Sequence, residues 1–399
     1  MSMSRIAIVF GALLLASASC LFSISSAGQR ISPLYAAGAF PLNGVPSERL
    51  AYSMYKSSVL ETRNSQASVS PATVLLARQA YAREPLSPEA LALIARDMGT
   101  RTKIKELAML EAANLISRRS NQVSLDLMAA YAYADNQHES LKVLDQLLRR
   151  NSVAQGPLLD GLSAMVANSN MRPSMLRLLS RNPPWAPQFW RRLAQSAQGL
   201  PGAAELRLAR ARQNASVDPD LDRMLIEGLA GQGLFGDAER IGNTLFPEAG
   251  IGRKQEIVLR NTSFSFQPDY LPFDWRLISN GDYGTTIDLA HSVLAISALA
   301  GSSGTAAEQL VHLSQGAYRL SVQLDPRSAP PGDHLGVSLI CADQAANILF
   351  KDRIARLPAL INNSTCTWAY LRVVIQLPSD AQDMDWAIQN IVLRPIAKD

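Results

Sequence analysis

Histidine, cysteine and activated serine are the side chains that most often carry metal binding or catalysis, and this chain uses them sparingly. Four histidines are widely separated, and none has a second histidine or cysteine at a metal-binding spacing: His138, His291, His312 and His334. No Gly-x-Ser-x-Gly turn is present to expose a serine nucleophile. The sequence therefore predicts no catalytic residue, no metal site and no cofactor.

The run Gly231–Gly236 (GQGLFG) has the glycine spacing of a dinucleotide-binding loop. That loop needs a strand before it, because its glycines turn the chain from a strand into a helix beneath a pyrophosphate. Here the preceding residues, 221–230, have the apolar spacing of a helix. We interpret the run as a turn between two antiparallel helices.

One short segment contains the residue types that some polysaccharide lyases place around a sugar. These enzymes also combine a helical domain with a β-sandwich, and the segment supplies Tyr131, Tyr133, Asn136 and His138. Such sites gather residues from distant segments, whereas these four lie together. A polysaccharide-modifying enzyme, a lyase or hydrolase, is therefore the alternative hypothesis and not the main one.

Aromatic residues in the C-terminal part are candidates for binding a glycan, since exposed rings serve as platforms for sugars. The candidates are Trp368, Trp275, Tyr283 and Tyr370. Large aromatics in a sandwich also commonly belong to the core. Trp368 alternates with aliphatic residues and shares a face with Tyr370 and Arg372, so we expect it to be the most exposed of them.

Two cysteines, Cys341 and Cys366, lie in or beside strand-like segments near the C-terminus. They can meet across a sheet and form a disulfide, or they can remain two buried thiols. A disulfide would require an oxidising compartment.

The N-terminal residues 1–27 have the layout of an export signal. Arg5 precedes residues 6–24, which are apolar and uncharged, and small residues follow. The same segment is just long enough to be an uncleaved membrane anchor. Both alternatives predict a periplasmic or cell-envelope protein, with the membrane contacted only through this segment.

The middle of the chain, 71–250, is predicted to be helical. Apolar residues recur every three or four positions, and Ser70-Pro71, Ser87-Pro88 and Asp218-Pro219 each place a capping residue before a helix-starting proline. Residues 28–70 are predicted to be a linker with one short helix. Leu91, Leu93 and Ala95 are matched 34 residues later by Leu125, Leu127 and Ala129.

This 34-residue period resembles that of the tetratricopeptide repeat, as does the spacing of Ala80 and Pro85. The resemblance implies a solenoid of helical pairs with a groove that binds a protein partner. An irregular helical bundle is the alternative.

Residues 255–397 are predicted to be an antiparallel β-sandwich. Alternating apolar residues mark strands at 262–266, 317–324, 335–341, 369–377 and 386–393, with turn-rich breaks between them. The order of Leu271–Trp275, Leu310–Leu313 and Gly316–Leu320 is similar to jelly-roll carbohydrate-binding modules. The whole chain resembles alphaproteobacterial envelope proteins that join helical repeats to such a domain, often in polysaccharide export.

Composition agrees with this reading and narrows the partners. The chain has 399 residues, 47% hydrophobic and 18% charged, with a net charge of +4. These values exclude a disordered chain, and an exported protein has no access to nucleic acid. We therefore expect an α+β multidomain protein, with a helical-repeat solenoid followed by a jelly-roll-like sandwich. Its expected function is non-enzymatic scaffolding, with a protein partner on the repeats and a polysaccharide as a second possible ligand.

Overall fold

The structure is a computed structural model that describes residues 3–62, 68–99, 102–150, 155–213, 218–247, 258–343 and 347–396. Over these residues, fourteen α-helices are followed by ten β-strands in two antiparallel sheets. The predicted order of a helical region and then a β-sandwich is therefore confirmed.

The chain divides into two compact units, Met1–Gly156 and Pro157–Asp399. The second unit contains six helices or parts of helices as well as both sheets, so helices belong to both units. The boundary expected near 250–254 lies outside the described residues.

The helices of the first unit run up to residue 150. They are α1 Met3–Gly28, α2 Pro33–Ala39, α3 Gly44–Thr62, α4 Pro71–Arg83, α5 Pro88–Gly99, α6 Lys103–Ile116, α7 Asn121–Tyr133 and α8 Gln137–Arg150. The segment expected to be a linker with one short helix thus forms two helices. The second of them, α3, buries Ala51 and Tyr55 against α4 and α5.

The apolar N-terminal segment is the long helix α1. Its stretch Phe10–Gly28 has the length and mean hydropathy of a membrane span and is almost entirely uncovered by the rest of the protein. Among the described residues, this is the one helix with those properties. The helix fits both a signal peptide and a membrane anchor.

Two of the three predicted helix caps are confirmed, and the third is replaced by a distant residue. The Ser70 hydroxyl accepts from the Thr73 amide at the start of α4, and Asp218 accepts from the Asp220 amide at the start of α13. At α5, the buried Ser87 hydroxyl has no hydrogen-bond partner. The carboxylate of Glu48 instead accepts from the amides of Glu89 (2.9 Å) and Ala90 (3.1 Å).

The 34-residue equivalence between α5 and α7 extends to burial at one of its three pairs. Leu93 and its counterpart Leu127 are both buried. Leu91 and Ala95 are buried in α5, whereas their expected counterparts Leu125 and Ala129 are exposed in α7. Repeated helices are present, and their buried faces agree with the expected pattern only in part.

The second unit contains a further series of short helices. They are α9 Gln155–Met165, which begins just before the unit, α10 Arg172–Leu179, α11 Ala186–Gln195, α12 Leu200–Ala211, α13 Pro219–Gly231 and α14 Phe235–Leu245. Gly228 lets α13 approach α11 closely, since a Cβ there would overlap the Ala194 carbonyl oxygen. Gly233 has a φ of 75° in the turn from α13 to α14, so the GQGLFG run is a helix–helix turn, as predicted.

Two five-stranded sheets form the sandwich. The strands are β1 Arg276–Leu277, β2 Tyr283–Asp288, β3 Val293–Ala298, β4 Ser303–His312, β5 Gly316–Leu324, β6 Leu335–Cys341, β7 Ile348–Arg353, β8 Ala359–Asn363, β9 Trp368–Gln376 and β10 Met384–Pro395. Their orders are β1-β4-β9-β6-β7 and β2-β3-β10-β5-β8, which we name sheet A and sheet B. Ala369, Leu371, Val373 and Ile375 of β9 face the shared core, as their alternation predicted.

The strand expected at 262–266 does not form. Thr262 accepts from the Ile391 amide, and Val258 donates to the Leu393 carbonyl, so the segment runs irregularly beside β10. Phe264 has a positive φ of 52°, which places its ring in the core but breaks the extended backbone that alternation requires.

Side chains of α13 and α14 contact the outer face of sheet A. Glu227 of α13 pairs with Arg276 of β1 at 2.8 Å, and Glu239 of α14 lies 3.3 Å from the His312 ring at the end of β4. Phe235, the first residue of α14, packs against Trp368 of β9. These contacts explain why the last helices and the sandwich belong to one compact unit.

A disulfide joins Cys341, the last residue of β6, to Cys366, which precedes β9. This confirms the predicted pairing. Cys20 in α1 is a free, exposed thiol.

Candidate functional site

An open cleft of about 450 Å³ lies among α5, α6 and α7 in the first unit. Its floor is apolar and includes Leu107, Leu110 and Ala130, while its charged lining consists of Arg96, Lys103, Glu106 and Asp126. Cavities of this size, with a mainly apolar lining and a few polar groups, are typical of binding sites. This cleft is the candidate functional site of the first unit.

A chain of polar contacts holds the wall of the cleft across three helices. Asp126 of α7 pairs with Arg96 of α5 and accepts from the Gln122 side chain at 2.9 Å. The Tyr52 hydroxyl of α3 donates to Gln122 at 2.9 Å, and the Arg96 guanidinium lies 5.0 Å from the Tyr55 ring centroid. The charges of Arg96 and Asp126 are therefore fixed in position by neighbours on adjacent helices.

Burial governs the electrostatics of this wall. Burial raises the pKa of Asp126, and the charge and hydrogen bonds of Arg96 oppose that rise. Lys103 and Glu106 form a second pair at 2.9 Å. The cleft thus presents two cations and two anions, so its charged lining suits a partner of mixed polarity.

Two apolar side chains stand exposed at the rim of the cleft. Ile104 is 81% exposed, and Tyr133 is 73% exposed with the Lys103 ammonium 5.1 Å from its ring centroid. Exposed apolar groups next to an apolar floor are characteristic of interaction surfaces.

The predicted exposure of Trp368 is wrong. Its face on β9 is the outer one, as predicted, but its side chain is only 8% exposed. The ring stacks on His312 at 4.5 Å and contacts Phe235 and Phe273. Alternation in a strand identifies a face, but it carries no information about a helix that covers that face.

The other aromatic candidates are also unsuited to serve as open platforms. Trp275 is fully buried, and Tyr283 is buried with its hydroxyl donating to the Thr305 carbonyl at 3.1 Å. Tyr370 is half-buried beside Glu308, and the Arg372 guanidinium lies 5.7 Å from its ring centroid. Burial, and then the charge of Glu308, raise the pKa of Tyr370. The four side chains do not form one exposed surface.

The residues considered for a lyase site have separate structural partners. Tyr131 donates to Glu111 at 2.6 Å, and Asn136 accepts from the Glu139 amide at the start of α8. Tyr133 lines the cleft, whereas His138 is not among the residues that line it. The structure does not bring the four residues together around one cavity.

Sequence reasoning missed the polar wall of the cleft. The available signal is a charge inside an apolar helical run: Asp126 is the lone charge in SLDLM, and Arg96 stands next to Asp97 in LIARDM. A charge at such a position is buried and needs a partner, but the partner is identified only when the helices are packed.

Comparison with known proteins adds no assignment. No protein-family model matches this chain, and the curated proteins include no relative that matches it in sequence. The function has to follow from the chemistry of its own residues.

Proposed function

We propose that this protein is a non-enzymatic, exported binding scaffold whose tetratricopeptide-like helical repeats hold a segment of a protein partner. The observation that carries the proposal is the open cleft among α5, α6 and α7. Helical repeats commonly use such a surface to dock an extended or helical peptide.

The lining of the cleft determines the chemistry of the expected partner. Leu107, Leu110 and Ala130 would receive apolar side chains, and Ile104 and Tyr133 would close over them at the rim. The two charge pairs, Arg96–Asp126 and Lys103–Glu106, would orient polar groups of the bound peptide. The proposed occupant is a peptide segment with apolar anchor residues and charges of both signs.

The proposed location is the cell envelope, outside the cytoplasm. The exposed apolar helix α1 fits an export signal or an inner-membrane anchor. The Cys341–Cys366 disulfide is compatible with an oxidising compartment such as the periplasm. The sandwich would then act as a rigid structural domain and not as a glycan-binding one, because its candidate glycan-binding aromatics are largely buried.

Selection from a random peptide library tests the proposal without knowledge of the natural partner. A phage library of twelve-residue peptides is selected on the full-length protein and counter-selected on the Ile104→Ala/Tyr133→Ala variant. We expect enriched peptides with spaced apolar residues and at least tenfold weaker binding to the variant, which corresponds to a loss of about 1.4 kcal/mol for the two truncated side chains together.

A matched control distinguishes binding in the cleft from non-specific binding to exposed apolar residues. Leu115 lies on the same helix as Ile104, is 72% exposed and does not line the cleft. Leu115→Ala should bind the selected peptides like the wild type, and all variants should keep the wild-type melting temperature. Failure to enrich any peptide, or equal binding by the rim variant, would overturn the proposal.

A further inference from the structure

A second opening, independent of the cleft, lies in the second unit where the ends of several helices meet. It has a volume of about 380 Å³ and is lined by residues of the α10–α11 connection and of α11, α12 and α13. Its walls are mostly apolar and include Pro183, Pro184, Pro187, Trp190 and Leu221, and its lining also contains the guanidinium-bearing Arg210. We name it the Arg210 pocket.

Arg210 is a buried cation without an acidic partner among the described residues. Arg210 is 5% exposed, and within the described part of the chain its guanidinium donates to the side-chain amide oxygens of Asn182 and Gln213 and to no carboxylate. No described carboxylate oxygen lies within the 4.0 Å that defines an ion pair with Arg210. A buried charge without an opposite charge nearby lowers the stability of the folded protein.

A second buried arginine on the same helix makes the contrast clear, because it has its own carboxylate. Asp222 accepts two hydrogen bonds from Arg207, at 2.6 and 2.8 Å, and both residues are buried. Burial, and then the charge of Arg207, lower the pKa of Arg210. Arg207 is thus neutralised by an ion pair, whereas among the described residues Arg210 has none, which leaves a positive charge beside an open pocket.

The surrounding helices increase this preference for an anion. Residues at the start of α11, Ala186 and Pro187, and at the start of α13, Leu221, line the pocket. Helix N-termini carry partial positive charge. Asp218 also lines the pocket, but it is exposed and accepts from the Asp220 amide at 3.1 Å. It caps its own helix and does not neutralise Arg210.

We propose that the Arg210 pocket binds the carboxylate of a ligand whose adjoining group is apolar. The carboxylate would accept hydrogen bonds from Arg210, and the apolar group would contact the proline and tryptophan walls. Two sources share this chemistry, a free apolar carboxylic acid and the C-terminal residue of a peptide. The walls do not favour a uronic acid, because they offer a sugar few hydrogen-bonding groups.

Binding of matched acids and amides to the full-length protein tests the proposal. Phenylacetate is compared with phenylacetamide, and acetyl-Gly-Phe with its C-terminal amide, by ligand-observed NMR and titration calorimetry. We expect each acid to bind at least tenfold more tightly than its amide, because a charge-assisted hydrogen bond is lost in the amide. Tighter binding of the peptide identifies a C-terminus as the source, and tighter binding of phenylacetate identifies a free acid.

Three variants locate the binding. Arg210→Met should weaken the binding of both acids at least tenfold. Ala186→Leu, which adds a larger side chain at a half-exposed position in the pocket wall, should also weaken their binding while leaving the fold intact. Arg212→Met replaces an exposed arginine just beyond the same helix, outside this pocket, and should bind like the wild type. Equal binding of acids and amides, unchanged binding by both pocket variants, or binding of glucuronate oligomers in place of the apolar acids would overturn the proposal.

Discussion

Two arginines, one in each compact unit, line openings of similar size but have opposite surroundings. Arg96 pairs with Asp126 and lies 5.0 Å from the Tyr55 ring centroid, so its charge is neutralised within the fold. Arg210 is more deeply buried, and its hydrogen bonds to described residues all go to neutral amide oxygens. The first arginine organises a binding surface, whereas the second leaves a charge that a ligand can neutralise.

The difference teaches where to look for function in a repeat protein. A buried ion pair contributes little net stability and mainly fixes neighbouring elements in position. A buried charge without a counterion costs stability, and it is retained most readily where something outside the fold supplies the opposite charge.

Asp222→Ala should produce the largest loss, about 3–5 kcal/mol in the free energy of unfolding, because it leaves the buried Arg207 without its carboxylate partner. Urea unfolding followed by tryptophan fluorescence measures it, since Trp185, Trp190, Trp275, Trp368 and Trp386 all lie in the second unit. Asp220→Ala, at an exposed position on the same helix, should cost less than about 1 kcal/mol. Equal losses in the two variants would refute a structural role for the buried Arg207–Asp222 pair.

Asp126→Ala should cost about 1–3 kcal/mol, less than Asp222→Ala, because the Arg96 side chain is partly exposed and can reach water. The first unit contains no tryptophan, so urea unfolding followed by circular dichroism at 222 nm is the measurement. Glu139→Ala removes a carboxylate paired with Lys142 near the surface of α8 and should cost less than about 1 kcal/mol. A loss at Asp126 as small as that of the control would mean that the polar wall is not structural.

Arg210→Met should change the free energy of unfolding by less than about 1 kcal/mol. No ion pair is lost, and a methionine of similar length fills the space without a buried charge. The same urea unfolding followed by tryptophan fluorescence applies. A loss comparable to that of Asp222→Ala would show that Arg210 is compensated within the fold, and would remove the contrast with Arg96.

The stability of the first unit should depend on pH, with a small contribution from the titration of Asp126. Burial raises its pKa, so the folded state holds the proton more tightly than the unfolded state. Stability should therefore fall as the pH rises from the ordinary carboxyl range through the raised pKa, and this contribution should stay constant above it. Unfolding at pH 4 and pH 7 measures the decline, which Asp126→Asn should reduce and Glu139→Gln should not. An unchanged decline in Asp126→Asn would contradict the assignment.

Local patterns predicted much of the fold. The alternation of Leu371, Val373 and Ile375 identified β9 and its inner face, and the Ser70-Pro71 pair identified the start of α4. These features depend on neighbouring residues alone, so the sequence is sufficient to reveal them.

The sequence-based predictions that failed did so because of contacts between residues that are distant in the chain. Ser87 has the right position to cap α5, but Glu48, from a different helix, supplies the acceptor. Trp368 has the right parity for an outer face, but Phe235 covers it. The candidate sites are missed for the same reason, since the pairing of Arg96 and the isolation of Arg210 appear only after the helices are packed.

The contact between Phe235 and Trp368 also sets an order of events during synthesis. The helix that begins at Phe235 leaves the ribosome, or crosses the membrane, before the strand that begins at Trp368 exists. At ordinary elongation rates the interval is on the order of 10 s. During that interval the nascent helix has no sheet to pack against. The Phe235 side chain therefore remains accessible to chaperones until β9 is synthesised.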